Sequence, residues 1–341
     1  MIIIFSVFFC LILILSIVIS HYATKSKLKE ASAPSRPLTV IIPFKNEANR
    51  ISPLIASLNS AELPTTIEFI FVDDHSDDQT VELLLDKVDI NFKLIRLRRE
   101  NGKKSAIRTG VEEALYNSIL TLDADVSFSK SYLKSISSLP SSDLTILPVS
   151  MTGRSLLQKL ASIEFRWLQS LTFFSAEVGQ PILCNGANLT FNKSAFLDSE
   201  SIRNDNYIPS GDDVFLLQAM QKLDKTISAY NLERLGVQTS APDDLKTLAN
   251  QRLRWILKLN NRSGFLAVFC LVFINILMIY AFFQIQHSVF WLTPVILKII
   301  SEWCGTNSLN IKTFFMVVLH QIYYPIYGLF LLGYMPFRSK W

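Results

Sequence analysis

An α/β domain on a mainly parallel sheet, carried between membrane helices, is the fold class this sequence predicts, and three observations predict it. Between Leu38 and Val149, short β-branched runs alternate with stretches of helical spacing, the order expected of a parallel sheet covered by helices. Polar residues follow the strands, at Lys45-Asn46-Glu47, Asp73-Asp74 and Asp123/Asp125, and in such sheets ligands bind beyond the carboxyl ends of strands. Half of the 341 residues are hydrophobic and the mean hydropathy is +0.30, too apolar for an ordinary soluble chain, with the apolar runs at both ends.

Taken in order, Ile2 to Ile19 is an uncharged run just long enough to cross a hydrocarbon core. No basic residue precedes it, and Lys25, Lys27, Lys29 and Arg36 follow, which predicts a retained anchor over residues 1–23 with the downstream side cytoplasmic. Residues 24–37, rich in Lys, Ser and Pro, form a linker to a domain over 38–241. Its strands are predicted at Leu38–Phe44, Ile67–Val72, Phe92–Leu97, Ser118–Leu122 and Leu144–Val149. Helices are predicted at Asn49–Leu58, Gln79–Leu85, Lys103–Tyr116 and around Lys130–Leu139. Leu156–Phe174 is an aromatic helix whose stripe suits core packing better than a lipid groove. Ile182–Asn192 reads as a strand or hairpin around Asn-Gly-Ala-Asn, and a helix follows at Val214–Lys222. Pro242-Asp243-Asp244 opens a helix within 242–263 that places Gln251, Arg254 and Trp255 on one face, suited to the headgroup region. In the C-terminal membrane region, 264–337, Gly264–Ile285 and Phe314–Phe337 are long enough to span, the second containing Pro325. Val289–Ile300 between them is a tilted third span or an interfacial segment, with Lys298 and Glu302 limiting its extension.

Several classes are disfavoured. A net charge of +4 carries no nucleic-acid footprint, and four scattered cysteines provide neither a zinc site nor a disulfide framework. GxGxxG and GxxxxGK[ST] loops are absent, which disfavours dinucleotide-binding and P-loop enzymes. Asp123 and Asp125, one small residue apart at a strand end, share one side if the chain is extended there. Two negative charges so placed suit a hard divalent cation, Mg²⁺ or Mn²⁺, shared with a diphosphate; solvated loop carboxylates are the alternative. Asp212 or Asp213 could simply cap the helix that follows.

The series Pro43-Phe44-Lys45-Asn46-Glu47, Val72-Asp73-Asp74-His75-Ser76, Gly102-Lys103, Asp123-Ala124-Asp125, Gly211-Asp212-Asp213 and Gln251-Arg252-Leu253-Arg254-Trp255 resembles the membrane-bound family 2 glycosyltransferases. These share the Rossmann-like GT-A fold with cellulose synthase, hyaluronan synthase and ceramide glucosyltransferase. The likeness covers about residues 38–258. It implies that Pro43, Phe44, Glu47 and Asp74 hold the base and ribose of a nucleotide sugar, UDP-linked, with Lys103 beside them. It further implies that Asp123 approaches the ribose, Asp125 binds the metal, and Asn185 and Gly186 line the donor-sugar pocket. Asp213 matches the general base of the family's Thr-Glu-Asp motif, although Gly211-Asp212-Asp213 departs from that pattern and leaves Asp212 as the other candidate. Gln251, Arg254 and Trp255 match the QxxRW motif, with Arg254 near the diphosphate and Trp255 near the acceptor.

The resulting expectation is an inverting, metal-dependent glycosyltransferase, integral to a bacterial inner membrane or its equivalent, with its catalytic domain facing the cytoplasm. Its acceptor is lipid-linked or a growing glycan. A processive polysaccharide synthase is the alternative within the class, and a catalytically inactive membrane scaffold the alternative outside it.

Overall fold

A computed structural model describes residues 2–24, 34–203, 212–257, 262–304 and 310–334. The expectations placed on Gly211, most of the linker, residues 258–261 and the end of the last span beyond residue 334 fall outside the described residues. So does the Asp212 side chain.

The chain begins with helix α1 (Ile2–Thr24), followed by β1 (Leu38–Phe44), α2 (Ser52–Ser60), β2 (Ile67–Asp73), α3 (Thr80–Lys87), β3 (Lys93–Arg96), α4 (Lys103–Glu113) and β4 (Ser118–Leu122). β5 (Val126–Phe128), α5 (Tyr132–Ser137), β6 (Leu144–Ile146), β7 (Val149–Thr152), α6 (Leu156–Glu177), β8 (Asn188–Asn192), α7 (Lys193–Glu200) and α8 (Asp212–Lys222) come next. The remainder is β9 (Ile227–Ala229), β10 (Val237–Ser240), α9 (Leu245–Leu257), α10 (Arg262–Gln284), α11 (Leu292–Cys304) and α12 (Ile311–Tyr334). Contacts divide it into two units, Ser26–Met151 with Ser175–Ser240, and Met1–Lys25 with Thr152–Phe174 and Ala241–Trp341.

The first unit holds a seven-stranded sheet in the order β3-β2-β1-β4-β8-β6-β9. β1, β2, β3 and β4 pair in parallel, as the alternating pattern predicts, and β8 runs antiparallel to both of its neighbours. Every residue of β1 is buried, consistent with the unbroken apolar run of a strand covered on both faces. Pairing of β1 with β4 stops at Ile41, so Pro43, which has no N–H to give, lies past that ladder.

Two expectations are corrected here. Leu144–Val149 is not one strand: Leu147-Pro148 interrupts it, and β6 joins the large sheet while β7 joins a three-stranded sheet ordered β5-β10-β7. Ile182–Asn192 is strand only from Asn188 on. Asn188 is fully buried, its amide donating to the carbonyls of Pro148 (2.7 Å) and Leu235 (2.9 Å) and accepting from the Tyr132 hydroxyl (2.6 Å). A buried amide satisfied in this way pins the start of β8.

In the second unit, Phe8 and Ile12 of α1 pack with Leu277, Met278 and Ala281 of α10 and with Trp291. Among the described residues, one helix is long and apolar enough by length and composition to cross a membrane, Ile311–Leu331 within α12; Ile3–Ser16 and Asn275–Gln284 are shorter apolar stretches. Lys298 and Glu302 do not end the helix between α10 and α12, because both are buried and paired. The Lys298 ammonium donates to Glu302 (2.8 Å) and to the Gln321 amide oxygen (2.5 Å), and the Gln321 amide donates to Glu302 (2.6 Å). Mutual satisfaction of this kind is what allows charges inside an apolar helix pair.

Candidate active site

The site residues of the first unit are brought together by the ends of β1, β2 and β4 and by the starts of α4, β8 and α8. Beyond β1 the chain turns through Asn46 at φ 55°, and its backbone is held by the loop after β2. Asn46 N–H donates to the Ser76 hydroxyl (3.0 Å), Glu47 N–H to Thr80 (2.8 Å) and Ala48 N–H to Asp78 (3.0 Å), while Asp77 N–H returns a bond to the Asn46 side chain (3.0 Å). Asp74 N–H donates to the carbonyl of Phe44 (2.9 Å), and its buried carboxylate lies beside His75 (3.2 Å). Pro43 and Phe44 at the end of β1 thus adjoin two interlocked loops that carry Glu47 and Asp74.

Asp78 was not singled out in the sequence. Burial works against its charged form, but hydrogen bonds from the Thr80 hydroxyl and from the Ala48 and Thr80 amides outweigh it and hold the carboxyl below its ordinary pKa. A depressed folded-state pKa makes a stability contribution that is present above the unfolded value, near 4, and is lost as pH falls through the folded one. Asp78→Ala is therefore expected to cost about 1 kcal/mol in urea unfolding at pH 7 and progressively less below pH 4. An equal cost at pH 7 and at pH 3 would overturn the assignment.

β4 ends at Leu122, and Asp123-Ala124-Asp125 form a turn rather than the extended chain assumed from alternation. The two carboxylates nevertheless interact: Asp125 is pushed up first by burial and next by the charge of Asp123. Asp125 accepts from Thr239 (3.2 Å) and lies 3.8 Å from the Arg50 guanidinium, which also grips Glu47 at 2.7 Å. Glu47 is raised to about 7, by burial first and then, against Arg50, by Asp125 and Asp123. Its Oε2 is buried without a hydrogen-bond partner. Neither Arg50 nor Thr239 carried a sequence signal, since each reaches Asp125 from far along the chain.

Gly102, at φ 93°, turns the chain into α4, and the Lys103 ammonium that follows pairs with Asp123. Gly186 donates its N–H to Asp213 Oδ2 (3.1 Å), while Asp213 Oδ1 accepts from Val214 N–H (2.9 Å). A Cβ on Gly186 would lie 3.5 Å from that of Asp213 and 3.8 Å from Lys103 Nζ. Asn185 shapes the same turn, its side-chain oxygen accepting from Ala187 N–H (3.0 Å). A cavity of about 580 Å³ opens beside Lys103, Gly186 and Asp213. Lys103 thus stands between Asp123, with which it pairs, and the turn at Gly186, whose N–H is held by Asp213, while Asp125 feels the charge of Asp123. Gln251, Arg254 and Trp255 lie on α9 of the second unit, with Arg254 exposed and the other two half-buried.

Among the described residues, no three His, Cys, Asp or Glu side chains form a group that would hold a metal by themselves. The donor set fits a cation shared with substrate, since Mg²⁺ is commonly bound by one or two carboxylates together with phosphate oxygens. The unpartnered Glu47 oxygen and the mutual repulsion of Glu47, Asp123 and Asp125 fit such a positive charge.

The model of glycosyl transferase family 2 matches residues 39–138 of this chain, and that of glycosyl transferase family group 2 matches residues 118–337, more than half of it. The chain is similar to the poly-β-1,6-N-acetyl-D-glucosamine synthase of Staphylococcus epidermidis, 32% identical over 89 residues, covering 26% of this chain and 21% of that protein. It is also similar to the undecaprenyl-phosphate 4-deoxy-4-formamido-L-arabinose transferase of Salmonella choleraesuis, 32% identical over 100 residues, covering 28% and 31%. The chain thus spans less than a third of the length of these relatives. Among solved structures, a mannosyltransferase from Pyrobaculum calidifontis, in complex with GDP-Man and Mn²⁺, matches with a TM-score of 0.57 over 96% of both chains at 15% identity, a likeness of fold.

Proposed function

The chain belongs to glycosyl transferase family group 2, and from that premise we propose that it transfers a sugar from a nucleotide sugar, UDP-linked, to a lipid-linked or growing glycan acceptor, inverting the anomeric carbon. The observation that supports this reading is the placement of the Lys103 ammonium between Asp123, with which it pairs, and the turn at Gly186, whose N–H is held by the Asp213 carboxylate.

In this reading Pro43, Phe44, Glu47 and Asp74 bind the nucleoside, and Asp123 approaches the ribose. Asp125, with Asp123 beside it, would hold Mg²⁺ or Mn²⁺, and the cation supplies positive charge to the departing diphosphate. Lys103 adds a fixed ammonium on the same side, and groups aimed at developing charge are usually the largest factor in such catalysis. Asp213 takes the proton of the acceptor hydroxyl, and a single displacement by that hydroxyl inverts the centre. Asn185 and Gly186 line the donor-sugar pocket. Gln251, Arg254 and Trp255 serve the diphosphate and acceptor, roles carried over from the resemblance.

The same reading makes the protein an integral membrane protein, anchored by α1 and by spans in α10 and α12. The basic residues that flank these segments put the catalytic domain on the cytoplasmic side. The likeness to a poly-N-acetylglucosamine synthase favours processive extension as a second form of the reaction; the likeness to an undecaprenyl-phosphate transferase favours one transfer onto a lipid phosphate.

The test uses full-length protein in nanodiscs with Mg²⁺ or Mn²⁺, offered UDP-N-acetylglucosamine or GDP-mannose, with and without undecaprenyl phosphate. Acceptor-dependent nucleotide release with an inverted product is expected, and product sizing separates one transfer from many. A product in the donor's own anomeric configuration would exclude inversion, and no release from either donor would overturn the reading.

A further inference from the structure

Arg252, the second residue of Gln251-Arg252-Leu253-Arg254-Trp255, is 3% exposed. An arginine buried to that degree needs partners for its whole guanidinium. Its Nε donates to Glu164 Oε1 (3.1 Å) and its Nη2 to Glu164 Oε2 (3.0 Å), a two-point grip on a carboxylate that is itself buried in α6. Nη2 also reaches the carbonyl of Ala161 (3.4 Å). The pairing with Glu164 alone would suffice to staple α9 to α6. Two further contacts go elsewhere: Nη1 donates to the side-chain oxygen of Gln251 (2.5 Å), and the guanidinium lies 4.3 Å from the ring centroid of Trp255. Phe165, next to Glu164 in sequence, packs against the same indole with centroids 5.6 Å apart.

We propose that Glu164 and Arg252 form a positioning pair that fixes the side chains of Gln251 and Trp255, and through them the affinity for the acceptor. This rests on the reading that Trp255 faces the acceptor. With its oxygen committed to Arg252, Gln251 turns its amide N–H groups away from the pair. Trp255, in contact with both the guanidinium and Phe165, loses rotational freedom before any ligand arrives, and such pre-organisation lowers the cost of binding. A lysine cannot replace the arginine. It keeps the charge but has no planar fork with which to grip Glu164, direct Gln251 and lie over the indole at once.

The test compares wild type with Arg252→Lys, the isosteric Glu164→Gln, Trp255→Phe, and the Arg252→Lys/Trp255→Phe double variant, all full-length in nanodiscs. The probes are UDP-N-acetylglucosamine and undecaprenyl phosphate. Arg252→Lys and Glu164→Gln are expected to raise the acceptor KM about tenfold, the order of effect seen when an orienting partner is lost, with the donor KM unchanged. In the Trp255→Phe background, Arg252→Lys is expected to add little, because the two changes act on one unit. A second readout needs no substrate. In protein labelled with ¹⁵N at its five tryptophans, the indole resonance assigned by its disappearance in Trp255→Phe is expected to shift in Arg252→Lys. Unmoved resonances elsewhere show that the variant has folded.

A Trp255 resonance that stays in place would overturn the inference, as would an Arg252→Lys effect confined to thermal stability. So would full additivity with Trp255→Phe. If Trp255→Phe leaves the acceptor KM unchanged, the acceptor reading of the motif falls and the inference with it. If Trp255→Phe raises that KM while Arg252→Lys does not, the positioning inference alone falls.

Discussion

Asp213→Asn is expected to lower kcat by about 10²–10⁴-fold while leaving the donor KM within about twofold of wild type, the range for loss of a positioned general base. The substitution keeps the shape of the side chain and one oxygen to accept from a backbone N–H, but removes the capacity to take a proton. Helix capping alone predicts something different. Asp213 lies inside the first turn of α8, and its two oxygens accept from Val214 and from Gly186, which lies in a different segment of the chain. Loss of a cap costs about 1 kcal/mol of stability and does not distinguish kcat from KM. Initial rates over a range of donor concentrations, read beside a urea unfolding curve, therefore separate the two roles. A large fall in kcat with unfolding little changed supports the base; a change in unfolding with kcat intact supports the cap. Asp212→Asn made in parallel is expected to keep kcat within about threefold of wild type. The reverse pattern would make Asp212 the base.

What could be read in the sequence follows physical lines. β1 and β4 were legible because strands buried on both faces leave continuous β-branched runs, and their loops were legible because charged residues interrupt those runs sharply. The small sheet of β5, β7 and β10 was not, because strands of three or four residues are too short to show a period. Leu144–Val149 reads as one strand for a related reason: Pro148 sits in an apolar run without changing its hydrophobic pattern, yet it breaks the ladder. Glu47, Asp123, Asp125 and Asp213 were legible through resemblance and local context. Arg50 and Thr239, which contact those carboxylates, and Asp78, which holds the Ala48 amide beside Glu47, were not. Neither was the Glu164–Arg252 pair, whose members stand 88 positions apart. Groups that act through tertiary contact leave no signature at any one position. They emerge only when the fold closes.

The same distinction governs what should happen on removing Asp125. Asp125→Asn is expected to reduce metal-dependent transfer by about 10²–10³-fold, the scale associated with losing one group aimed at developing charge. Treatment with EDTA should silence the wild type, and added Mn²⁺ should restore it while leaving the variant silent. Stability is expected to move the other way. Without a cation, Asp125 is a half-buried carboxylate beside Asp123, and both add to the burial that raises Glu47 to about 7, with the Arg50 guanidinium only partly offsetting them. An amide in its place still accepts from Thr239 but removes one of the repelling charges. The variant's thermal midpoint in EDTA should therefore equal or exceed that of the wild type, and added Mn²⁺ should stabilise the wild type alone, because a ligand stabilises only the state that binds it. A site strained when empty and satisfied when filled is the pattern of residues kept for function rather than for folding. A variant that loses both transfer and stability in EDTA would instead make Asp125 a structural residue, and the metal would then have to be held elsewhere.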